Sequence, residues 1–480
     1  MSLAAVAPWG LFLLMLAAAY PWSVWLAVRA GGARLLAIVL TLGLGTGTLT
    51  LLMFWQALLG INLTAASAAA PYLLLMALGW ALCWRSHLRL LPTRPHWSRP
   101  EVWVAGLIGL VAAAVLVNAV SWPFYREDAL AIYHRYGDII YQTGTLVPFA
   151  GRDEAFYQAY PIHLSLLYAY AYQLSGWTHE YLARLGAALL SLGCLPAVYC
   201  LAHEVYGRRA GWLAALLLGL TPAFGRWASA GYTDLPMAFY YTLAALFTLR
   251  LWRSRRAWDA LLAGLLAGLA AWTKNAALVG VGLFALTLAA GWATRHIPAR
   301  LASMALLACA LVCAPWYVRN WVEAGLIVPP TAWTDQAQRT LSTAFIFITQ
   351  PQDYGPAGWG ILIGVGVTVF QYARRPAVGT GLLLAWSLPF FAVWWLLASY
   401  DPRFILLFLP LLAAAGAGGL DALRGLVSPH WQARLTVPMA AFGLALALGI
   451  AWISVDHKAK ILRAPFMDDA ARRAIVLNAP

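Results

Sequence analysis

Ionisable residues are sparse in this sequence, and those that could do chemistry stand where apolar runs end. Glu127 and Asp128 follow the run 101–121 closely. A carboxylate at such an edge can take a proton from an attacking hydroxyl. Asp128 is the candidate base and Glu127 its supporting neighbour; a helix cap or a partner for Arg126 are the structural alternatives for Asp128. Asp234, in GYTDLP, opens a later run. It could support positive charge on a reacting carbon, and an acid also suits a helix N-terminus. Lys274 closes another run (LAAWTKN) and is the only Lys before residue 458. Arg403 follows Asp401-Pro402, and Arg319 follows PWYV. Such cations, converging on one pocket, would bind a phosphate leaving group. Snorkelling would equally account for Lys274, and a salt bridge to Asp401 for Arg403. Tyr133, His134 and His163 are candidate contacts to a sugar or an acceptor. No Walker or dinucleotide glycine motif is present. No His, Cys or carboxylate cluster has metal-ligand spacing, so no cofactor is expected and a divalent metal is not indicated.

What positions these residues must be a membrane fold. The chain has 480 residues, 62% hydrophobic and 10% charged, against about a quarter charged in soluble domains. That excludes a water-soluble enzyme and a disordered chain. The expectation is an all-α polytopic membrane protein. Stretches near the ~20 residues needed to cross a bilayer fall near 9–28, 35–59, 64–84, 101–121, 181–203, 210–226, 234–252, 258–273, 276–293, 301–318, 358–373, 378–399, 404–420 and 436–454. This predicts about fourteen transmembrane helices, with a range of eleven to fourteen. The first run has no positive charge before Arg29, so it reads as a retained span rather than a cleaved leader. The 25 Trp and 21 Tyr suit interfacial belts. Five Cys lie in apolar runs and read as core residues, not disulfides.

Short basic loops stay cytoplasmic. Arg85, Arg89, Arg94 and Arg99 share one loop, Arg253, Arg255 and Arg256 another, and Arg208-Arg209 and Arg374-Arg375 mark two more. With these inside, the whole formal surplus of +14 falls on the cytoplasmic face. The basic balance then reflects topology and the anionic inner leaflet, and no nucleic-acid partner is implied. Asp128, Asp234, Lys274, Arg319 and Arg403 all fall outside. Residues 161–176 are about one turn too short to span and read as a juxtamembrane or re-entrant helix. The outer loop 122–160 carries an amphipathic pattern over 128–141, expected to lie on the membrane surface; the second long outer loop is 319–357. The chain divides into accessory N-terminal helices (1–100), a catalytic transmembrane module (101–318) and a C-terminal transmembrane region (319–480) with a tail of about 26 residues. A transporter or flippase is the rival reading, but its ionisable groups would sit near the midplane, whereas here they crowd the span ends.

Several stretches, in order and on consistent sides, resemble the GT-C superfamily of integral-membrane glycosyltransferases, in particular the branch of protein O-mannosyltransferases and lipid A aminoarabinose transferases. EDALAIYHRYGDIIYQTGTLVPF is similar to that family's first outer loop, and YPIHLSLLYAYAYQLSGW to the Pro-led segment after it. GYTDLPMAFYYTLAALF, AGLLAGLAAWTKNAALV, PWYVRN and DPRFILLFLPLL resemble later outer-face motifs, so the likeness covers about residues 101–420. It implies a GT-C-type fold, an acidic catalytic base at Asp128 or Glu127 and a second acidic site at Asp234. It also implies a polyprenyl-phosphate sugar donor, with the acceptor (lipid, glycan or protein) open. The chain departs from the aminoarabinose branch, in which a Lys precedes Pro-Pro; here Tyr160-Pro161-Ile162 stands instead. It also lacks the Trp-Trp-Asp motif of oligosaccharyltransferases.

Overall fold

A computed structural model describes residues 3–30, 34–88, 97–148, 158–328 and 334–477. Arg89 and Arg94 of the basic loop, and parts of both long outer loops, lie outside the described residues. Among these residues the fold is all-α, with no strand. This follows from the composition: in hydrocarbon a backbone must satisfy its own polar groups, and a helix does so within one segment. Nine helices among the described residues are long and apolar enough to cross a membrane. The other expected spans are shorter or more charged: Arg208–Gly219, Asp234–Ser254, Ala257–Thr273, Ala277–Ala293 and Leu409–Leu426. The chain is a multi-pass membrane protein.

Helix ends follow local chemistry. Ser98 and Glu101 form a capping box that opens Arg99–Ser121, which satisfies amides that the helix itself leaves free. Gly144 and Gly176 close their helices in the left-handed conformation, which costs glycine nothing. The helix Asp234–Ser254 is buried almost all round. Pro429–Ile453 is peripheral, with only 11% of its apolar window buried, so its Leu, Val and Met side chains are left to lipid. Gly264 and Gly268 of Ala257–Thr273 face the backbone of Ala305 and Cys309 on Ala299–Ala324. A side chain there would hold the helices apart, and small residues are what close packing in a membrane requires. The Cys residues are free, four of them buried.

The charged residues sort into two ends. At one end Arg208 pairs with Glu101, Arg209 with Asp421, and Arg250 and Arg253 with Glu204. At the other, Arg126 pairs with Asp456, Arg226 with Asp353, Lys274 with Asp234, and Arg403 with Asp128. Each pair joins residues assigned to the same side from the sequence.

The segment 161–176 forms the helix His163–Ser175, about 20 Å long at 1.5 Å per residue and short of the ~30 Å hydrocarbon core. It is buried over most of its length. The expected amphipathic helix before it exists as a π-helical turn Ala129–His134 followed by Arg135–Thr143. Its stripe of Ala129, Ile132, Tyr133, Tyr136 and Ile140 is buried, and Arg135–Thr143 packs on His163–Ser175. The stripe therefore faces protein, because a second apolar helix offers it tighter packing than an interface can. The N-terminal helix Arg34–Leu58 also packs on His163–Ser175 and Glu180–Tyr206, and its Thr46 hydroxyl lies 2.8 Å from that of Tyr240.

Candidate active site

Four helix ends bring the candidate residues together. Asp234–Ser254 runs away from the site and Ala257–Thr273 returns to it, so Asp234 and Lys274 meet at one level. Lys274 Nζ lies 2.7 Å from Asp234 Oδ1. The turn Pro402–Leu407 packs on Asp234–Ser254 and delivers Arg403. Its Nη2 is 3.0 Å from Asp128 Oδ2 and 3.2 Å from Asp401 Oδ2, and its Nε is 3.9 Å from Asp234 Oδ2. One guanidinium thus lies within ion-pair distance of three carboxylates, its Nη2 shared between Asp128 and Asp401. The Asp128 and Asp234 carboxylates lie within about 10 Å of each other, as two groups touching one guanidinium must.

Aromatic rings frame the cations. The Arg403 guanidinium lies 4.6 Å from the Tyr232 ring centre, 5.2 Å from Trp227 and 5.1 Å from Phe404; Lys274 Nζ lies 4.6 Å from Phe404. Burial works against the Arg403 charge. The carboxylates of Asp234, Asp401 and Asp128 outweigh it and hold its pKa above the usual arginine value. Burial pushes the Asp401 carboxyl up, against the pull of Arg403.

The two acids differ in access. The Asp234 side chain is 3% exposed and that of Asp128 is 42% exposed. Asp128 makes no side-chain capping bond, and Arg126 pairs with Asp456 instead, so neither structural alternative for Asp128 is realised. Its backbone amide donates to the Tyr232 hydroxyl at 3.3 Å. Asp234 is the first residue of its helix, after the cap Thr233, so the favourable placement of an acid at a helix N-terminus is realised there too. Glu127 is exposed and makes no ion pair among the described residues.

The other expected residues are placed as follows. Tyr133 is buried, its hydroxyl 2.8 Å from that of Thr233, one residue before Asp234. His163 is fully buried beside Thr273 at 2.8 Å, one residue before Lys274; burial pushes its pKa down to about 3. His134 lies 2.8 Å from the Tyr172 hydroxyl, and burial lowers its pKa. Tyr133 and His163 thus bond the residues that precede Asp234 and Lys274, and His134 bonds the helix His163–Ser175. Arg319 pairs with Glu323 at 2.9 Å, donates to the Val147 carbonyl at 3.0 Å and lies over Trp316. The described contacts tie it to the first outer loop, at Val147, rather than to the Arg403 cluster. The i,i+4 spacing of Arg319 and Glu323 was a signal for that pairing. Trp227, Tyr232 and Asp401 complete the cluster; sequence reading gave Asp401 only as a possible partner and did not single out the two rings.

Comparison with known proteins bears on the fold. The profile for the family "Dolichyl-phosphate-mannose-protein mannosyltransferase" matches residues 160–318, about a third of the chain. Among solved structures, ArnT from Cupriavidus metallidurans bound to undecaprenyl phosphate superposes with a TM-score of 0.53 at 19% identity, over 78% of this chain and 75% of that one. The chain has the GT-C fold. The archaeal oligosaccharyltransferase AglB from Archaeoglobus fulgidus, in complex with an inhibitory peptide and a dolichol-phosphate, superposes with a TM-score of 0.51 at 13% identity. That alignment covers 73% of this chain and 56% of AglB. No curated protein sequence matches the chain. The likeness in fold covers 78% of the chain and so takes in both its halves, and the stretch matched by the family profile contains Asp234 and Lys274.

Proposed function

We propose that the chain is a membrane glycosyltransferase that moves a single sugar from a polyprenyl-phosphate donor to an acceptor hydroxyl. The site would face the extracytoplasmic side of the plasma membrane, opposite the arginine-rich end. The observation that carries this reading is the junction of Asp128, Asp234, Lys274 and Arg403 at one end of the bundle. The solved relatives bound to undecaprenyl phosphate and dolichol-phosphate support the donor class. Outside the cytoplasm nucleotide sugars are absent, so the sugar must arrive already attached to a lipid carrier.

In this mechanism the acceptor oxygen attacks the anomeric carbon while its proton passes to Asp128. The bond between that carbon and the phosphate oxygen breaks, and the electron pair leaves on the polyprenyl phosphate. Attack from the face opposite the phosphate inverts the configuration. Lys274 and Arg403 stabilise the departing phosphate, and Asp234 holds both cations in place. Asp128 is the more exposed of the two acids and so can meet an acceptor. Arg403 pairs with it in the free protein; donor phosphate competes for the same guanidinium and frees the carboxylate for proton transfer. Two fixed cations supply the positive charge, so the scheme calls for no obligatory metal.

The test is transfer from a panel of radiolabelled polyprenyl-phosphate sugars by the purified protein and by Asp128→Asn. The variant should fold as the wild type does and lose roughly 10²–10⁴-fold in rate, the usual contribution of a general base. Undiminished turnover in Asp128→Asn would refute its assignment as base. No transfer from any polyprenyl-phosphate sugar would count against the donor class.

A further inference from the structure

The stretch that follows Pro429–Ile453 folds back over the same end of the molecule as Asp128. Asp456 is its hub. The Asn118 side-chain amide donates to Asp456 Oδ2 at 2.8 Å, and the Asp456 backbone amide returns a bond to Asn118 Oδ1 at 2.9 Å. The Trp122 indole donates to the Asp456 carbonyl at 3.1 Å. Arg126 Nη2 pairs with Asp456 Oδ1 at 3.3 Å. Further along, Arg473 pairs with Glu180 at 2.7 Å, and the Tyr181 hydroxyl donates to Asp469 at 2.7 Å. Residues 456–473 therefore grip both the start of the first outer loop and the start of the helix Glu180–Tyr206.

The loop between Trp122 and Asp128 is held by side chains from several elements. Arg184 donates to the Trp122 and Pro123 carbonyls, and Glu180 accepts from the Phe124 amide at 2.6 Å. Beyond Phe124, the Tyr125 ring packs edge-on against His457 and lies under the Arg126 and Arg184 guanidinium groups, and Arg126, two residues before the candidate base, is the ion-paired anchor. The guanidinium of Arg126 lies 5.4 Å from the centre of the Trp227 ring, and that of Arg403 lies 5.2 Å from the same ring. Asp456, Arg126, Trp227, Arg403 and Asp128 thus form a continuous chain of contacts. Arg126 and Asp456 keep 31% and 23% of their side chains exposed, and such half-solvated pairs add little to global stability. What the pair can control is local: the direction in which the peptide leaves Phe124 and enters the turn at Ala129.

We propose that Asp456 is a positioning residue of the active site, holding Asp128 at its working angle through Arg126 and the shared Trp227 ring. The inference rests on the reading of Asp128 as the base. A misplacement of about 1 Å at a reacting group can cost about a hundredfold in rate, so a tether that carries little stability can still govern turnover.

The experiment uses the full chain in detergent, with Asp456→Asn, Asp456→Glu, Arg126→Gln, the Asp456→Asn/Arg126→Gln pair and Asp128→Asn. Amide hydrogen exchange over residues 124–134, thermal melting, and kcat and KM for an undecaprenyl-phosphate-linked radiolabelled sugar are measured. Asp456→Asn should speed exchange in 124–134 and leave the melting temperature nearly unchanged. It should lower kcat roughly ten- to a hundredfold at unchanged donor KM. Asp456→Glu should restore most of kcat, and the double variant should be no worse than the worse single. Wild-type exchange and kcat in both single variants would overturn the proposal. So would multiplying defects in the double variant, or protection lost evenly across the helices in both singles, which would mark a merely structural contact. If Asp128→Asn stays active while Asp456→Asn still loosens 124–134 and slows turnover, the assignment of the base fails and the tether stands.

Discussion

Replacing Lys274 with Met isolates one arm of the central ion cluster. Lys274 and Asp234 are 2.7 Å apart, with side chains 11% and 3% exposed. Removal of the ammonium leaves a buried carboxylate with Arg403 at 3.9 Å as its remaining cation. At an effective dielectric constant of about 20, an attraction at 2.7 Å is worth about 6 kcal/mol before desolvation and one at 3.9 Å about 4. The carboxylate keeps roughly two-fifths of its gross compensation. Breaking a buried pair from one side costs ~3–5 kcal/mol, and the surviving Arg403 contact places Lys274→Met near the lower figure. The double variant Lys274→Met/Asp234→Leu removes both charges. Arg403 retains Asp128 and Asp401, so the double variant should recover most of the lost stability while remaining inactive. Four of the five free cysteines are buried, so a thiol-reactive fluorescent dye reports unfolding in detergent. A melting temperature for Lys274→Met within about 1 °C of wild type, when ~1 kcal/mol shifts a large domain by several times that, would refute a stabilising ion pair. So would a double variant less stable than the single.

Two further outcomes follow from other parts of the fold. Burial pushes the pKa of His163 down to about 3 and that of His179 to about 4, so both stay neutral in the fold, whereas the unfolded chain protonates near about 6.5. Their contribution to stability is complete above that value and is lost as pH falls from it toward about 4. Each histidine costs up to ~1.4 kcal/mol per pH unit, so melting at pH 5.5 should come well below melting at pH 7.5, and an unchanged temperature would contradict it. Gly144 sits at φ +68° with Asn62 packed where a Cβ would go, so Gly144→Ala should destabilise by at least about 1 kcal/mol. A melting curve unchanged from wild type would show that the Asn62 turn yields freely.

Much of the architecture was legible because a membrane simplifies the code. Apolar length marks the helices, and arginine placement marks the ends; the segregation of ion pairs into two groups shows that the side assignments were consistent. Asp128, Asp234, Lys274 and Arg403 stood out as charges at span edges. What spacing did not reveal was that one guanidinium would serve three carboxylates, because Asp128 and Arg403 are 275 positions apart and only packing joins them. Trp227 and Tyr232 did not stand out from the other Trp and Tyr residues, since a ring under a guanidinium has no local signature. The helix after Asp128 was legible as amphipathic, but periodicity marks a buried stripe without saying whether lipid or protein covers it. Asp456 was hidden for the opposite reason: a short polar tail carries no pattern, and its meaning lies in the loop it touches.

Arg184 is a fully buried arginine on Glu180–Tyr206 whose guanidinium collects the carbonyls of Trp122, Pro123 and Ser229. Those carbonyls open the two connections that lead to Asp128 and to Asp234. Both acids therefore ride on a single rod. Were that rod to tilt with a change in bilayer thickness, the two connections would move with it together. Such coupling would make the chemistry insensitive to the lipid around it, while the depth at which a donor meets the site would track the membrane.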